Sequence, residues 1–230
     1  MILKFARFDL QIELTNEAVS TLEICDRSLF SRIVQSLLSD KGERAIEPYF
    51  FFDEGKAIAP KGRALIIHSL PQLPVHDRSF EKALFDRLNN ELHNNANADD
   101  SREKIEKLFL ELNEVVKGLS LELWGSYEFS VNWNLPTYLK AFGYGLEADS
   151  DSSSLLDRCI QFFGLCVDIG FQKPLIFVNA KSFFSSLEVE TLFEQAFFHG
   201  LSVLFLEPWP SDNRLSHEVK YKIDLGFSNL

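Results

Sequence analysis

The residues best suited to chemistry in this sequence lie on one alternating segment, from Leu121 to Asn134. Apolar residues alternate here with oxygen-bearing side chains, which is the two-residue period of a β-strand with one polar face. The oxygen-bearing residues are Glu122, Ser126, Glu128, Ser130, Asn132 and Asn134. Calcium prefers several oxygen ligands, and a strand edge followed by a turn can supply them. The same pattern is typical of a half-buried strand whose polar face meets water, so both interpretations stay open.

Basic residues are unevenly distributed along the chain. The whole sequence carries a net charge of −11. Because affinity for DNA comes largely from Lys and Arg side chains that neutralise phosphates, this average does not favour non-specific nucleic-acid binding. Between residues 27 and 63, however, there are seven basic and five acidic residues. The average charge therefore hides one locally basic segment.

The motifs of nucleotide-binding and hydrolytic enzymes are missing from the sequence. The phosphate-binding pattern GxxxxGK[ST] is absent, and the segment TLEICDRSLFSRIVQ, where such a loop would follow a buried strand, contains no glycine. The five histidines occur singly, without an HExxH or GxSxG pattern. Cys25, Cys159 and Cys166 show no CxxC spacing, so neither a zinc site nor a disulfide framework is expected. We therefore predict that the protein is not an enzyme and binds no nucleotide.

Hydrophobic periodicity predicts strands in both terminal parts of the chain. The segments LKFARFDLQIEL, VSTLEIC, YFFFD and ALIIHSL resemble strands, and a helix is predicted from about Ser28 to Ser39. Near the C-terminus, the apolar runs PLIFVN and SVLFLEP flank the capped helix SLEVETLFEQAFFHG. A strand, a helix and a strand joined by short links predict a parallel crossover unit. The segment KYKIDLGF is predicted to add an edge strand.

The middle of the chain is predicted to be mainly helical. Amphipathic stripes begin near Ser79 and Asp100, and Pro136 occupies the first turn of a short helix. A further helix is predicted from Leu155 to Ile169. The fold class is therefore α/β, with helices concentrated between two sheet-forming parts.

These patterns predict a discontinuous α/β head interrupted by a helical leg. The head consists of residues 1–75 and 172–230, and the mainly helical leg consists of residues 76–171. No apolar run approaches the roughly 20 residues of a membrane-spanning helix, and the first residues alternate like a strand instead of forming a signal-peptide core. A cytoplasmic protein is predicted.

Three stretches of the sequence resemble a known family. They are FSRIVQSLL following TLEICD, PLIFVNAKSFFSSLEVETL, and LSVLFLEP. With the FFFD strand and the helical middle, they resemble the type II-A CRISPR-associated accessory spacer-acquisition (adaptation) protein. That protein is the small ring-forming subunit of the Csn family that binds double-stranded DNA ends. The resemblance covers nearly the whole chain, and its C-terminal motifs are more specific than the helical leg.

The resemblance implies both an architecture and a function. It implies a P-loop-ATPase-like head without its nucleotide motif, an inserted leg, and a homotetrameric ring with a positively lined channel. The implied function is non-catalytic binding of double-stranded DNA ends, with the CRISPR integrase subunits and the RNA-guided effector nuclease as further partners. Arg32 matches a basic position of the family. The candidate DNA-binding residues are Arg27, Arg32, Lys41, Arg44, Lys56, Lys61 and Arg63.

The resemblance also implies structural calcium, held in an acidic stretch between leg helices. The matching stretch, GSYEFSVNWNLP, keeps Glu128 but has Ser130 and Asn132 where acids are common. With Glu122 farther upstream, the candidate metal ligands are Glu122, Glu128 and Asn132. Fewer carboxylates predict a weaker site or none.

Two other functions stay open at this point. The first is a protein-interaction scaffold for the adaptation complex, in which DNA contact is secondary. The second is a cryptic metal-dependent nuclease that uses the oxygen-rich face as its metal site.

Overall fold

The computed structural model describes residues 1–94, 99–128, 133–146, 153–212 and 215–224. Its contacts divide the chain into two compact units. The α/β unit contains Met1–Leu73 and Ala148–Leu230, and the helical unit contains Pro74–Glu147. The description of these units as a discontinuous head with an inserted leg stays a prediction.

The described part of the chain contains nine strands in two sheets. In chain order they are β1 (Ile2–Phe5), β2 (Gln11–Glu13), β3 (Val19–Ile24), β4 (Tyr49–Asp53), β5 (Lys56–Ile58), β6 (Leu65–Ile67), β7 (Leu175–Val178), β8 (Val203–Glu207) and β9 (Glu218–Ile223). An antiparallel sheet has the order β2-β1-β4-β5, and a parallel sheet has the order β6-β7-β8-β3-β9. A mixed α/β fold with a parallel sheet is thereby confirmed, whereas the relation to P-loop ATPases stays a prediction.

The central strands of the parallel sheet are buried on both faces. Every residue of β3 and β8 is buried, as are the first three residues of β7. Burial on both faces explains why these strands are near-continuous apolar runs. β7 and β8 pair in parallel, as predicted for the crossover unit, and β9 is the predicted edge strand, paired with β3.

Six helices lie in the described residues. They are α1 (Arg27–Leu38), α2 (Arg78–Asn94), α3 (Asp99–Ser120), α4 (Leu135–Ala141), α5 (Leu155–Asp168) and α6 (Ser186–Phe198). Ser154 and Ser185 begin α5 and α6 with capping boxes, which satisfy backbone donors at each first turn. None of these helices is long and apolar enough to cross a membrane.

Helix α5 belongs to the α/β unit by its contacts. It packs against α6 and buries Cys159, Phe162, Phe163 and Cys166. The predicted leg, residues 76–171, included this helix, so the structure groups it differently. An amphipathic stripe shows that a helix packs against something, but it does not show which unit supplies the partner.

The helical unit contains α2, α3 and α4, and α2 contacts both of the others. Asn134 caps α4 because its side chain accepts a hydrogen bond from the backbone N–H of Thr137 at 2.9 Å. Pro136 lies in the first turn, where its missing donor has no cost. The predicted short helix is thereby confirmed.

The strand predicted between Leu121 and Asn134 is not formed in its described part. Residues 121–128 form turns and an irregular segment, and residues 129–132 lie outside the described residues. Leu121, Leu123 and Tyr127, which were to form the buried face, are 85%, 58% and 61% exposed. The prediction was wrong here because alternation alone does not supply a neighbouring strand, and the described residues of the helical unit contain none.

Candidate functional site

Two basic loops lie in contact in the α/β unit. The first is the turn at 41–44, and the second is the loop at 59–64. Gly42 has a φ of +56°, and a Cβ at this position would lie 2.7 Å from Cγ of Pro60. The backbone of the first loop therefore packs directly on the proline ring of the second, where only glycine fits. This contact brings together four of the predicted DNA-binding residues, Lys41, Arg44, Lys61 and Arg63.

Lys173 extends this group from a third segment. Leu65 at the start of β6 pairs in parallel with Leu175 at the start of β7. Arg63 and Lys173 therefore precede their strands by the same number of residues. Both lie at the amino-terminal edge of the parallel sheet. A Cβ at Gly62 would lie 3.9 Å from Nζ of Lys173. We define the basic loop cluster as Lys41, Arg44, Lys61, Arg63 and Lys173.

The basic loop cluster is exposed and carries an excess of positive charge. All five side chains belong to exposed residues. None of them forms an ion pair with a carboxylate in the part of the chain that the structure describes. Asp40 and Glu43 flank Lys41 closely in sequence, so two negative charges lie near the five positive ones. Cations without a carboxylate partner among the described residues are available to hydrogen-bond phosphate oxygens.

Arg27 and Lys56 lie on other parts of the α/β unit. Arg27 follows the carboxyl end of β3, and its guanidinium lies 4.4 Å from the ring centre of Trp209. Because all strands of this sheet run in the same direction, Arg27 is at the opposite edge from Arg63 and Lys173. A strand of this length spans about 15–20 Å. Lys56 is exposed on β5, at the edge of the antiparallel sheet. The seven predicted residues therefore do not share one edge.

Arg32 is held in place by a buried carboxylate. Its Nε donates to Oε1 of Glu47 at 2.7 Å, and a guanidinium nitrogen of Arg7 donates to the same oxygen at 3.3 Å. Glu47 is 1% exposed, whereas the side chains of Arg7 and Arg32 are 64% and 37% exposed. Two arginines around one carboxylate leave a net positive charge in a fixed position. Sequence reasoning missed Arg7 because it lies 40 residues from Glu47.

The Arg32→Ala variant is expected to lose about 2 kcal/mol of folding free energy, because a buried carboxylate is left with only the longer contact to Arg7. Thermal or urea unfolding measures the loss. The control is Arg44→Ala, which removes an exposed arginine without an ion-pair partner among the described residues, and should stay within about 0.5 kcal/mol of wild type. Adding Glu47→Gln to Arg32→Ala should recover part of the loss. Equal stability of Arg32→Ala and Arg44→Ala would contradict the conclusion that Arg32 neutralises a buried carboxylate.

The three predicted metal ligands are only partly described. Glu122 and Glu128 are exposed in the irregular segment after α3, and Asn132 lies outside the described residues. In the described part of the chain, no three His, Cys, Asp or Glu side chains come close enough to hold a metal ion. Calcium prefers six to eight oxygen ligands, including amide and carbonyl oxygens, so the set that includes Asn132 stays a prediction.

The start of α1 lies where a phosphate-binding loop would lead into its helix. Here Asp26 caps the helix, and its carboxylate accepts a hydrogen bond from the backbone N–H of Leu29 at 2.6 Å. Backbone donors at a helix start attract phosphate when they are free. The Asp26 carboxylate uses one of these donors and places a negative charge beside the others, which disfavours a nucleotide phosphate.

The fold and the site define a mixed α/β protein with a five-stranded parallel sheet, a helical unit and an exposed basic loop cluster. Residues 43–227 match the family described as CRISPR-associated protein (Cas_Csn2), and the chain belongs to this family. The predicted resemblance to a Csn-family protein is confirmed at this level.

A similar solved structure is the crystal structure of Stu0660 of Streptococcus thermophilus. The match has a TM-score of 0.50 and 15% sequence identity, and it covers 93% of this chain and 70% of that chain. At this identity the likeness shows a shared fold alone. No curated protein matches the chain.

Proposed function

We propose that this protein is a non-catalytic ring subunit that binds the ends of double-stranded DNA and supports spacer acquisition in type II-A CRISPR systems. Membership of the Cas_Csn2 family supports a role in CRISPR. The observation that carries DNA binding is the basic loop cluster, because exposed cations without ion pairs among the described residues stand out in a chain of net charge −11. The protein makes and breaks no bonds in this proposal.

The proposed contact with DNA is electrostatic. The basic loop cluster contacts phosphate oxygens, which positions a duplex without reading its bases. Arg7 and Arg32 add a second positively charged group, whose position is fixed by the ion pairs of both arginines with Glu47. Closure of a ring concentrates these charges around the duplex, while the acidic remainder of the surface keeps the assembly dispersed in solution. DNA then enters through its ends.

The proposed homotetramer assembles through one face of α3. Leu108, Leu112, Val115 and Leu119 lie on the same side of this helix and are 55%, 59%, 62% and 70% exposed. An apolar stripe of this kind is typical of a helix that packs against a partner. We assign this face to contacts between subunits of the ring.

The same face of α3 also favours a second candidate function. An apolar helix face can bind other proteins, here the CRISPR integrase subunits or the RNA-guided effector nuclease. In that case the protein is a scaffold and its contact with DNA is secondary.

The dependence of binding on salt distinguishes the two functions. For DNA-end binding we expect the logarithm of the affinity for a linear duplex to fall linearly with the logarithm of salt concentration. The expected slope is about −0.9 per phosphate neutralised. Fluorescence anisotropy with a labelled linear duplex measures this slope. A flat salt dependence, combined with salt-resistant binding to the adaptation proteins, would support the scaffold instead.

A further inference from the structure

A cavity of about 270 Å³ opens at the carboxyl ends of β3, β7 and β8 in the α/β unit. In open α/β sheets this edge is where ligands usually bind. The polar part of its lining includes Glu23, Asn179, Lys181 and Glu207. The proposed binding of DNA uses none of these residues, so the cavity needs a separate explanation.

Two buried carboxylates lie side by side in this cavity. Glu23 and Glu207 are register partners at the ends of β3 and β8, and they are 5% and 4% exposed. Glu23 has partners, since its Oε1 accepts a hydrogen bond from the backbone N–H of Ser211 at 3.0 Å and lies 3.5 Å from Nζ of Lys220. Its charge is therefore compensated within the protein.

Glu207, in contrast, has no cationic side chain as a partner among the described residues. Its Oε1 accepts a hydrogen bond from the backbone N–H of Lys181 at 3.0 Å. The ammonium of Lys181 is directed elsewhere, to Oε1 of Glu218 at 2.7 Å and to Thr21 at 3.2 Å. Burial raises the pKa of Glu207 to about 7, although the backbone N–H and the charge of Lys181 lower it. A buried carboxylate without an ion pair is costly unless it takes up a proton or a ligand supplies a counter-charge.

Asn179 provides a second acceptor without a partner. Its Oδ1 is buried and accepts no hydrogen bond from the described residues. The residue has a φ of +52°, a conformation that costs free energy for most side chains and is tolerated best by glycine and asparagine. Asn179 and Glu207 line the same cavity. The cavity is therefore lined by a carboxylate that can accept from a ligand with N–H donors, and by an amide whose oxygen has no donor among the described residues.

The remaining walls of the cavity favour an organic ligand over a hydrated metal ion. Phe184, Val189, Trp209 and Leu215 provide apolar and aromatic surface. The guanidinium of Arg27 lies 4.4 Å from the ring centre of Trp209, so one face of this ring already contacts a cation of the protein itself. Aromatic faces attract ammonium and guanidinium groups, and carboxylates accept charge-assisted hydrogen bonds from them.

We propose that this cavity binds an organic cation, a guanidinium or primary ammonium group, whose N–H groups donate to Glu207 and Asn179. The cation is either a free small molecule or the side chain of an arginine or lysine in another polypeptide, because both present the same chemistry. The site is separate from the basic loop cluster, which lies at the opposite edge of the parallel sheet.

The test uses methylguanidinium and its neutral analogue N-methylurea. Two-dimensional NMR of the ¹⁵N-labelled full chain follows the side-chain amide of Asn179 and the indole N–H of Trp209 during titration. We expect saturable shifts with methylguanidinium at a Kd of about 1 mM and none with N-methylurea. Equal shifts with both compounds, or no saturable shift with methylguanidinium, would overturn the proposal.

Variants of the two acceptors locate the binding. Glu207→Gln removes the charge and keeps an oxygen for the N–H of Lys181, so it should fold and should bind methylguanidinium about tenfold more weakly. Asn179→Gly removes the amide oxygen while tolerating the backbone conformation, and should weaken binding about threefold. The matched control is Glu43→Gln, at an exposed residue outside the cavity lining. Loss of affinity in the control alone would contradict the assignment.

The pH dependence of cation affinity tests whether Glu207 contacts the ligand, because a purely structural role of Glu207 would not produce it. A proton on Glu207 competes with the cation, so affinity should rise with pH through about 7 and level off above it, because only the deprotonated carboxylate binds. The other charged groups around the site, Glu23, Lys181, Glu218, Lys220 and Arg27, are present in both the wild type and the variant. Glu207→Gln should therefore remove the pH dependence, and its persistence in the variant would contradict the proposal.

A second ligand separates the two sources of the cation. A blocked Gly-Arg-Gly peptide presents the same guanidinium on a polypeptide. Tighter binding of the peptide than of methylguanidinium supports the side chain of a partner, and tighter binding of methylguanidinium supports a free small molecule. Displacement of methylguanidinium by magnesium or calcium at equal concentration would instead indicate a metal site and overturn the proposal.

Discussion

Replacing Lys41, Arg44, Lys61 and Arg63 by glutamine is expected to weaken binding of a linear duplex by about 100-fold near physiological salt. The four cations lie in two loops joined by the contact between Gly42 and Pro60. Each lost phosphate contact also reduces the salt dependence, so the slope of log affinity against log salt should become less steep by about 3 to 4. Anisotropy titrations at several salt concentrations measure both effects.

The control for this variant removes the same charge from the helical unit. Lys82, Arg87, Lys104 and Lys107 replaced by glutamine give an equal change in net charge at positions outside the cluster. We expect affinity within about threefold of wild type and an unchanged salt slope. If both variants lose affinity equally, net charge and not the basic loop cluster governs binding.

Leu119→Glu is expected to dissociate the assembly into smaller species. Leu119 lies on the apolar face of α3 and is 70% exposed in the single chain. In the proposed ring the variant loses the burial of a leucine and places a charge in an apolar interface, at a cost of about 4 kcal/mol per contact, or roughly a thousandfold in the dissociation constant. Light scattering coupled to size-exclusion chromatography measures the mass.

Leu110→Glu is the matched control on the same helix. Leu110 is 64% exposed and lies on the side of α3 opposite to Leu108, Leu112 and Leu119. This variant should keep the mass of the wild type. Dissociation by both variants would show that glutamate destabilises α3 itself, and dissociation by neither would place the subunit contacts elsewhere.

The elements of the parallel sheet could be predicted from sequence because each buried strand is itself a run of apolar residues. β7 and β8 are apolar along their whole length except at the last residue of β8, and α6 between them begins with a capping box at Ser185. Local patterns of this kind require no knowledge of distant residues. The segment after Leu121 has an equally regular pattern, but the structure gives its described part no neighbouring strand, so the same reasoning failed there.

The candidate sites depended on pairings that sequence patterns do not contain. Arg63 and Lys173 come together because β6 and β7 pair in parallel across more than one hundred residues of sequence. Glu47 joins Arg7 and Arg32 in the same way. Lys173 directly precedes PLIFVN, and Arg63 directly precedes ALIIHSL. Knowledge that these two strands are neighbours would therefore have identified Lys173 as a further candidate. The density of basic residues along the chain identified the two loops. It also grouped Arg27 with them, although Arg27 follows the carboxyl end of β3 and lies at the other edge of the sheet.

The most direct test of ring-shaped binding compares linear DNA with covalently closed circular DNA of the same sequence. A protein that takes in a duplex through its ends should bind the linear form at least about tenfold more tightly in a gel shift, and blocking both ends with a bulky protein after loading should trap the complex at high salt. Equal affinity for the linear and circular forms, with no trapping, would contradict DNA-end binding by a ring.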